Sequence, residues 1–245
     1  MRYLIGIDDT DNADSRGTGF RARQLGARLG EAGLATTLGI TRHQLLVHPD
    51  IPYTSHNSSA CLDVRLANGS WQALAEFCRD YLATESADGA DAALCVAAWD
   101  AVGEAVMGFG RSAKERVLTR EQASELAARA ALHLQGVTGD HMGVIGALAA
   151  VGLRRSGHDG RFIWLQGVRE LSGTATAARL LDTTGIEAVE TVDGRAVPRE
   201  AEVLVDPWPR PVLLGGRAVL LTQETQEKNA AYGWELLPKE AVRRY

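Results

Sequence analysis

Hydrophobic and polar positions alternate along this chain in a way that predicts strands and helices in turn. Residues 2–7 form a short apolar run that breaks into Asp8-Asp9-Thr10-Asp11, the pattern of a buried strand ending in a polar turn. Residues 19–31 carry Ala22, Leu25, Ala27 and Leu29 on one side and close on Gly30 and Gly33, which predicts a helix. Residues 36–41 and 60–66 read as strands. Residues 70–82 read as a helix capped by Ser70, with Trp71, Leu74, Phe77, Cys78 and Tyr81 on its core stripe. A strand over 92–98 precedes a helix capped by Asp100 and reaching Gly110. Thr119 then opens another helix, with Gln122 completing a partial capping box, and that helix runs to Leu134 before Gly136.

The texture changes after Gly136. The loop Val137-Thr138-Gly139-Asp140-His141-Met142-Gly143 feeds an apolar helix over 144–151, followed by turns at Gly152 and 157–160. Residues 161–165 predict a strand, 174–181 a helix, 188–191 and 203–206 short strands, and 212–221 an apolar run. The charged tail 222–245 reads as peripheral. The pattern predicts a mixed α/β (α+β) protein of two domains, 1–136 and 137–245. The second is expected to be a small split α/β sandwich on a four-stranded sheet.

Candidate chemistry gathers in the first twenty residues. Asp8, Asp9 and Asp11 at one strand end repel one another unless a cation neutralises them, and Mg²⁺ is the oxygen-seeking ion that suits carboxylates. Gly17-Thr18-Gly19 opens a helix with backbone N–H groups and a hydroxyl, which suits a phosphate. Alone, an Asp-rich turn is often a solvated loop and Gly-Thr-Gly often only a turn. Together on one strand–loop–helix they point to a nucleotide. Arg21 and Lys114 are candidates for stabilising phosphate charge, against the reading of both as solvated surface cations. His56 and Asn57 sit in the polar run 54–59, which serves either a turn or the wall of the same cleft. Asp140 and His141 lie in the second glycine-rich loop, a second candidate anion site.

Composition narrows the class. With 45% hydrophobic and 23% charged residues the 245-residue chain is of ordinary globular make-up. A net charge of −5 and a pI of about 5.7 give no global basic footprint for nucleic acid, though a local basic groove stays open. Cys61, Cys78 and Cys95 are widely spaced, which favours buried thiols over a zinc site. No signal peptide or apolar run of membrane-spanning length is seen, so a cytoplasmic location is expected.

The run Gly6-Ile7-Asp8-Asp9-Thr10-Asp11 resembles the opening of the archaeal tRNA-isoleucine agmatidine synthetase (TiaS) family. The resemblance continues weakly through 52–62, 143–150 and 211–215, in the same order. It implies an ATP-dependent kinase-like α/β domain followed by a ferredoxin-like α+β domain, with the nucleotide bound by the first and near their junction. It also implies that Asp8, Asp9 and Asp11 hold or orient Mg²⁺, that ATP is cleaved to AMP, and that an amine displaces an activated oxygen on RNA. The family's OB-fold and zinc ribbon would lie beyond Tyr245, and no cysteine pairs here could hold zinc. An ungapped match puts Phe20 where the family has its autophosphorylated threonine, and Thr18 takes that place only with a shifted loop.

The expected function is therefore ATP- and Mg²⁺-dependent phosphoryl transfer or ligase-type activation. Asp8, Asp9 and Asp11 are assigned to metal, and Thr18 joins them in catalysis. Gly17, Thr18, Gly19, Arg21, His56, Asn57, Lys114, Asp140 and His141 are assigned to the nucleotide. The acceptor is open between RNA and a small amine, and the assembly between a homodimer and a partner protein that supplies substrate-binding domains. Two alternatives remain: a catalytically reduced nucleotide-binding regulatory module and a metal-dependent phosphohydrolase.

Overall fold

Arg2–Asp8 form strand β1, in which every residue from Tyr3 to Ile7 is buried. It is the middle strand of the sheet on which the first part of the chain is built. In this computed structural model, residues 1–53, 56–227, 230–242 and 245 are described. They fall into two units, Met1–Ser156 and Gly157–Tyr245.

The first unit continues with α1 (Thr18–Glu31), β2 (Ala35–Gln44), β3 (Ser58–Leu66), α2 (Trp71–Glu85) and β4 (Ala93–Ala98). Then come α3 (Glu104–Ser112), α4 (Arg120–Arg129), β5 (His133–Gly136) and α5 (Val144–Ser156). The strand order is β5-β4-β1-β3-β2 and every pairing is antiparallel. The sheet therefore has no parallel switch point, and whatever binds at the end of β1 does so without that device.

The period of two along β1 separates its faces. Leu4, which packs in the α5-side core, shares its face with Gly6 and Asp8. Ile5 pairs with Leu62 on the other face, where Leu62 and Ile40 lie against Gly26 of α1. Helix α5 lies so close to β1 that a Cβ on Gly6 would overlap the carbonyl of Ala147. Helix α3 packs on α5, where Gly152 lies against the Val106 backbone.

At the end of β1 away from Asp8, the fully buried Asp63 carboxylate accepts Arg2 Nε at 2.8 Å and Arg154 of α5 at 2.7 Å. Both oxygens are thus engaged by guanidinium groups, which compensates the cost of burying the charge.

The expected boundary at 136/137 lies twenty residues before the division at 156/157. Residues from Val144 to Arg154 are nearly all buried against β1, β3, β4 and α3, so α5 belongs to the first unit. The expected helix from Thr119 to Leu134 ends at Arg129, because Ala131 adopts a left-handed φ of 52° and the chain re-enters the sheet as β5. Its capping box is complete. Asp100 lies in a 3₁₀ turn, and Gly103 precedes α3 in its place. Gly152 sits inside α5, not in a turn.

The second unit comprises β6 (Arg161–Trp164), β7 (Thr174–Thr176), α6 (Ala177–Thr183), β8 (Ala188–Glu190) and β9 (Glu202–Leu204). It ends with β10 (Val212–Leu214), β11 (Arg217–Glu224), β12 (Trp234–Leu236) and α7 (Lys239–Val242). These short strands outnumber the four expected. The apolar run 212–221 folds back on itself at Gly215 and Gly216, whose φ values of 59° and 76° make the β10–β11 turn. The tail is built in: β12 pairs with β11, and Trp234, Leu237 and Val242 are buried. Both units mix helix with sheet, and among the described residues no helix is long and apolar enough to cross a membrane.

Candidate functional site

β1 delivers Asp8 to its last position, and Asp9 follows with a left-handed φ of 53° that turns the chain out of the strand. That conformation is uncommon for a residue with a Cβ, though Asp tolerates it better than most. Asp8 lies against the first turn of α5, where a Cβ on Gly146 would overlap its carboxylate. Glycine at 146 is therefore a condition for the acid to sit where it does.

A cleft of about 150 Å³ opens at this point, its residues all drawn from the first unit. Asp8, Asp9, Asp11 and Thr18 make its acidic floor. Leu45, Ile51, Tyr53, Val117, Met142 and Ile145 make an apolar wall. His56, Asn57, Ser58, Asp50 and Arg116 add polar and charged groups to the lining.

The electrostatics of the floor are unfavourable to bare carboxylates. Burial, then the neighbouring charges of Asp9 and Asp11, push the Asp8 carboxyl up to about 8. Burial, then the charges of Asp91 and Asp11, push Asp9 up to about 6. A hydrogen bond from the Asp9 backbone N–H to the Asp8 carboxylate opposes the rise at Asp8 only in part. A proton or a bound cation must neutralise the pair.

Among the described residues no three of His, Cys, Asp or Glu converge to hold a metal by themselves. Mg²⁺ in nucleotide sites uses one or two carboxylates, with phosphates and water supplying the rest. The Asp8–Asp9 pair fits a metal that arrives with phosphate.

Asp11 has a further task. Its Oδ1 accepts the Thr18 N–H at 3.0 Å and the Thr18 hydroxyl at 2.9 Å, so it caps α1 from seven residues upstream. The Thr18 hydroxyl also accepts from the N–H and the hydroxyl of Thr10. Gly17, the residue before α1, supplies no side-chain cap. A carboxylate thus already stands at the helix N-terminus that the sequence offers to phosphate through Gly17, Thr18 and Gly19, and of these three only Thr18 lines the cleft.

The other assigned residues divide. His56 and Asn57 line the cleft. Asn57 also ties its segment to the end of β2, its Nδ2 donating to the Leu46 carbonyl and its carbonyl accepting from Leu45 and Gln44. Thr54 and Ser55 of the polar run lie outside the described residues. Arg21 is turned to α2, where it pairs with Glu85 at 3.0 Å, it also donates to Gln24 of its own helix, and it does not line the cleft. Lys114 is absent from the lining, while its neighbours Ala113 and Arg116 are in it. Asp140 donates its N–H to Asp91 and His141 rests over Gly136, so the second loop reaches the cleft through Met142 and Gly143 instead.

Several contributors were not singled out from the sequence. Asp91 faces Asp9 and raises its pKa. Gly146 makes room for Asp8. The half-buried Arg42 donates its Nε to Ser58 at 2.8 Å and feels the charge of Asp11. Asp91 and Gly146 carry no local signal, because each matters only through a neighbour distant in the chain. Arg42 could have been found as a charge on a strand that is otherwise half apolar.

No protein-family model matches this sequence, and no curated protein matches it. Solved structures do match in fold. The chain is similar to apo TiaS, a tRNA-isoleucine agmatidine synthetase, at 23% identity over 62% of this chain and 35% of that one, with a TM-score of 0.53. It is similar to TiaS in complex with its isoleucine tRNA and ATP at 24% identity over 62% of this chain and 36% of that one, with a TM-score of 0.54. Against TiaS in complex with the same tRNA, AMPCPP and agmatine, the match covers 100% of this chain and 55% of the other, at 17% identity and a TM-score of 0.54. The chain spans between about a third and just over half the length of these structures, and at such identities the likeness is one of fold.

Proposed function

We propose that the first unit binds ATP together with Mg²⁺ and uses it for phosphoryl transfer or ligase-type activation of an acceptor. The observation that carries this reading is the pair of half-buried, charge-crowded carboxylates Asp8 and Asp9 at the foot of a cleft with an apolar wall. The wall suits a base, and the floor suits the cation that accompanies phosphates. The fold likeness to a protein solved with ATP supports the same reading.

Asp8 and Asp9 would hold Mg²⁺, whose chemistry here is to draw charge from the phosphates. Asp11 orders the N-terminus of α1 beside them by fixing Thr18. The protein's part is then positioning and charge compensation in a partly dry cleft. Following the resemblance, the nucleotide product is AMP, the acceptor is an RNA or a small amine, and the units correspond to the kinase-like and ferredoxin-like domains of the family.

Isothermal titration calorimetry with ATP and Mg²⁺ tests the reading, followed by identification of the nucleotide product. The wild type binds, and Asp9→Asn binds at least tenfold more weakly. Undiminished binding by the variant, or none by the wild type, overturns it.

A second reading, a nucleotide-binding regulatory module with reduced catalysis, is favoured by one observation. The Thr18 hydroxyl is engaged by Asp11 and Thr10, and Phe20 occupies the other candidate threonine position. Binding without turnover in the presence of RNA and amine supports that reading, and release of AMP excludes it.

A further inference from the structure

A cleft floored by acids must still hold the negative end of its ligand, and most nearby cations are committed elsewhere. Arg21 is paired with Glu85, and Arg23 donates to the Gly19 carbonyl. Arg16 is exposed and stacked over Phe20. Arg116 stands exposed at the mouth.

Arg42 differs from all of these. It lies on the face of β2 that also carries Ile40, two residues further toward the cleft. Arg42 is not itself part of the lining but stands directly behind it. Ser58, which lines the cleft, takes its Nε–H at 2.8 Å, and Asp11, which also lines it, is near enough to favour its charge, a link to the lining that Arg21 does not show. Its two Nη groups make no hydrogen bond or ion pair among the described residues. The guanidinium is partly withdrawn from water, while its uncommitted fork stays accessible to an incoming ligand. The fork geometry suits two phosphate oxygens.

We propose that Arg42 is the anion-holding residue of the cleft, its guanidinium gripping a phosphate of the bound nucleotide between Ser58 and Asp11. This rests on the nucleotide reading above and shifts the phosphate contact from the α1 N-terminus, where Asp11 already takes the Thr18 N–H, to the β2–β3 side. Arg42 thereby takes the role that the sequence offered to Arg21 and Lys114.

Calorimetry on the full chain with Arg42→Gln and Arg42→Lys tests the assignment, using ATP with Mg²⁺, inorganic tripolyphosphate with Mg²⁺, and adenosine, the weaker ligands read by displacement of ATP. Loss of a charge-assisted pair predicts that Arg42→Gln weakens ATP and tripolyphosphate roughly ten- to a hundredfold and leaves adenosine unchanged. Arg42→Lys, which keeps the charge without the fork, falls between and preserves the measurement if the Gln variant does not fold. Equal affinity of wild type and both variants for ATP overturns the assignment and spares the nucleotide reading. A loss of the same size for adenosine as for ATP shows a merely structural role and also overturns it. Failure of the wild type to bind ATP overturns the nucleotide reading and this assignment with it.

Discussion

Asp8 is the residue where folding and function pull in opposite directions. A buried carboxylate at the end of an apolar strand is unfavourable when ionised, and its carboxyl stands near 8 instead of 3.8 because of burial and then the charge of Asp9. A raised pKa in the folded state means that the folded protein holds a proton the unfolded chain releases. The contribution of that proton to stability is complete below about pH 4 and is lost as pH rises through 8. In EDTA and without nucleotide, wild-type stability is therefore expected to fall between pH 5 and 9. Asp8→Asn should lose much of that slope and exceed the wild type at pH 9 by roughly 2 kcal/mol or more. Urea unfolding of both proteins at pH 5, 7 and 9 is the measurement, and parallel curves would remove Asp8 as the source of the strain. The same variant should bind ATP with Mg²⁺ poorly, so that one substitution gains stability while losing function.

At the scale of elements, the approach of α5 to β1 fixes the site, and two glycines carry that approach for different ends. A methyl on Gly6 meets the backbone carbonyl of Ala147, whereas a methyl on Gly146 meets the Asp8 carboxylate. Backbone cannot swing aside, so Gly6→Ala is expected to cost about 3 kcal/mol of stability. Gly146→Ala displaces a side chain and should weaken ATP binding by tenfold or more, with a smaller loss of stability. Thermal melts and calorimetry on both variants separate the two effects, and reversal of their order would mean that α5 does not set the position of Asp8. Neither contact could be read from the chain. Gly6 belongs to a strand pattern and Gly146 to an apolar helix, and each is explained only by a partner about 140 residues away. What could be read were local features. The apolar run of β1, the Ser70 cap of α2 and the Thr119–Gln122 capping box all lie within a few residues of what they satisfy. The end of α4 was misplaced because Leu134 fits a helical stripe and a short edge strand equally well, and only pairing with Cys95 decides between them.

At the scale of the whole molecule each unit has a hydrophobic core of its own, and the candidate site draws on residues of the first. Leu148 belongs to the core between the first sheet, α3 and α5, while Leu220 belongs to the core of the second unit. The change of texture after Gly136 put α5 in the second part of the chain, because the bonds of the glycine-rich loop to the residues before β4 are unseen in the sequence. Thr138 donates to the Ala90 carbonyl at 2.6 Å and accepts the Ala92 N–H at 2.9 Å, which ties that loop into the first unit. Leu148→Ala and Leu220→Ala each remove a buried side chain, at 0% and 1% exposure, and should each cost about 2–5 kcal/mol. Their effects on binding should differ. Leu148 stands two residues beyond Gly146 on the helix that abuts Asp8, so its loss lets that helix relax and should weaken ATP binding severalfold. Leu220→Ala, measured on folded protein well below its melting temperature, should leave the affinity within about twofold, because every residue lining the cleft lies in the first unit. A loss with Leu220→Ala as large as with Leu148→Ala would mean that the second unit takes part in holding the nucleotide, and the walls of the site would then have to be drawn more widely than residues 8–146.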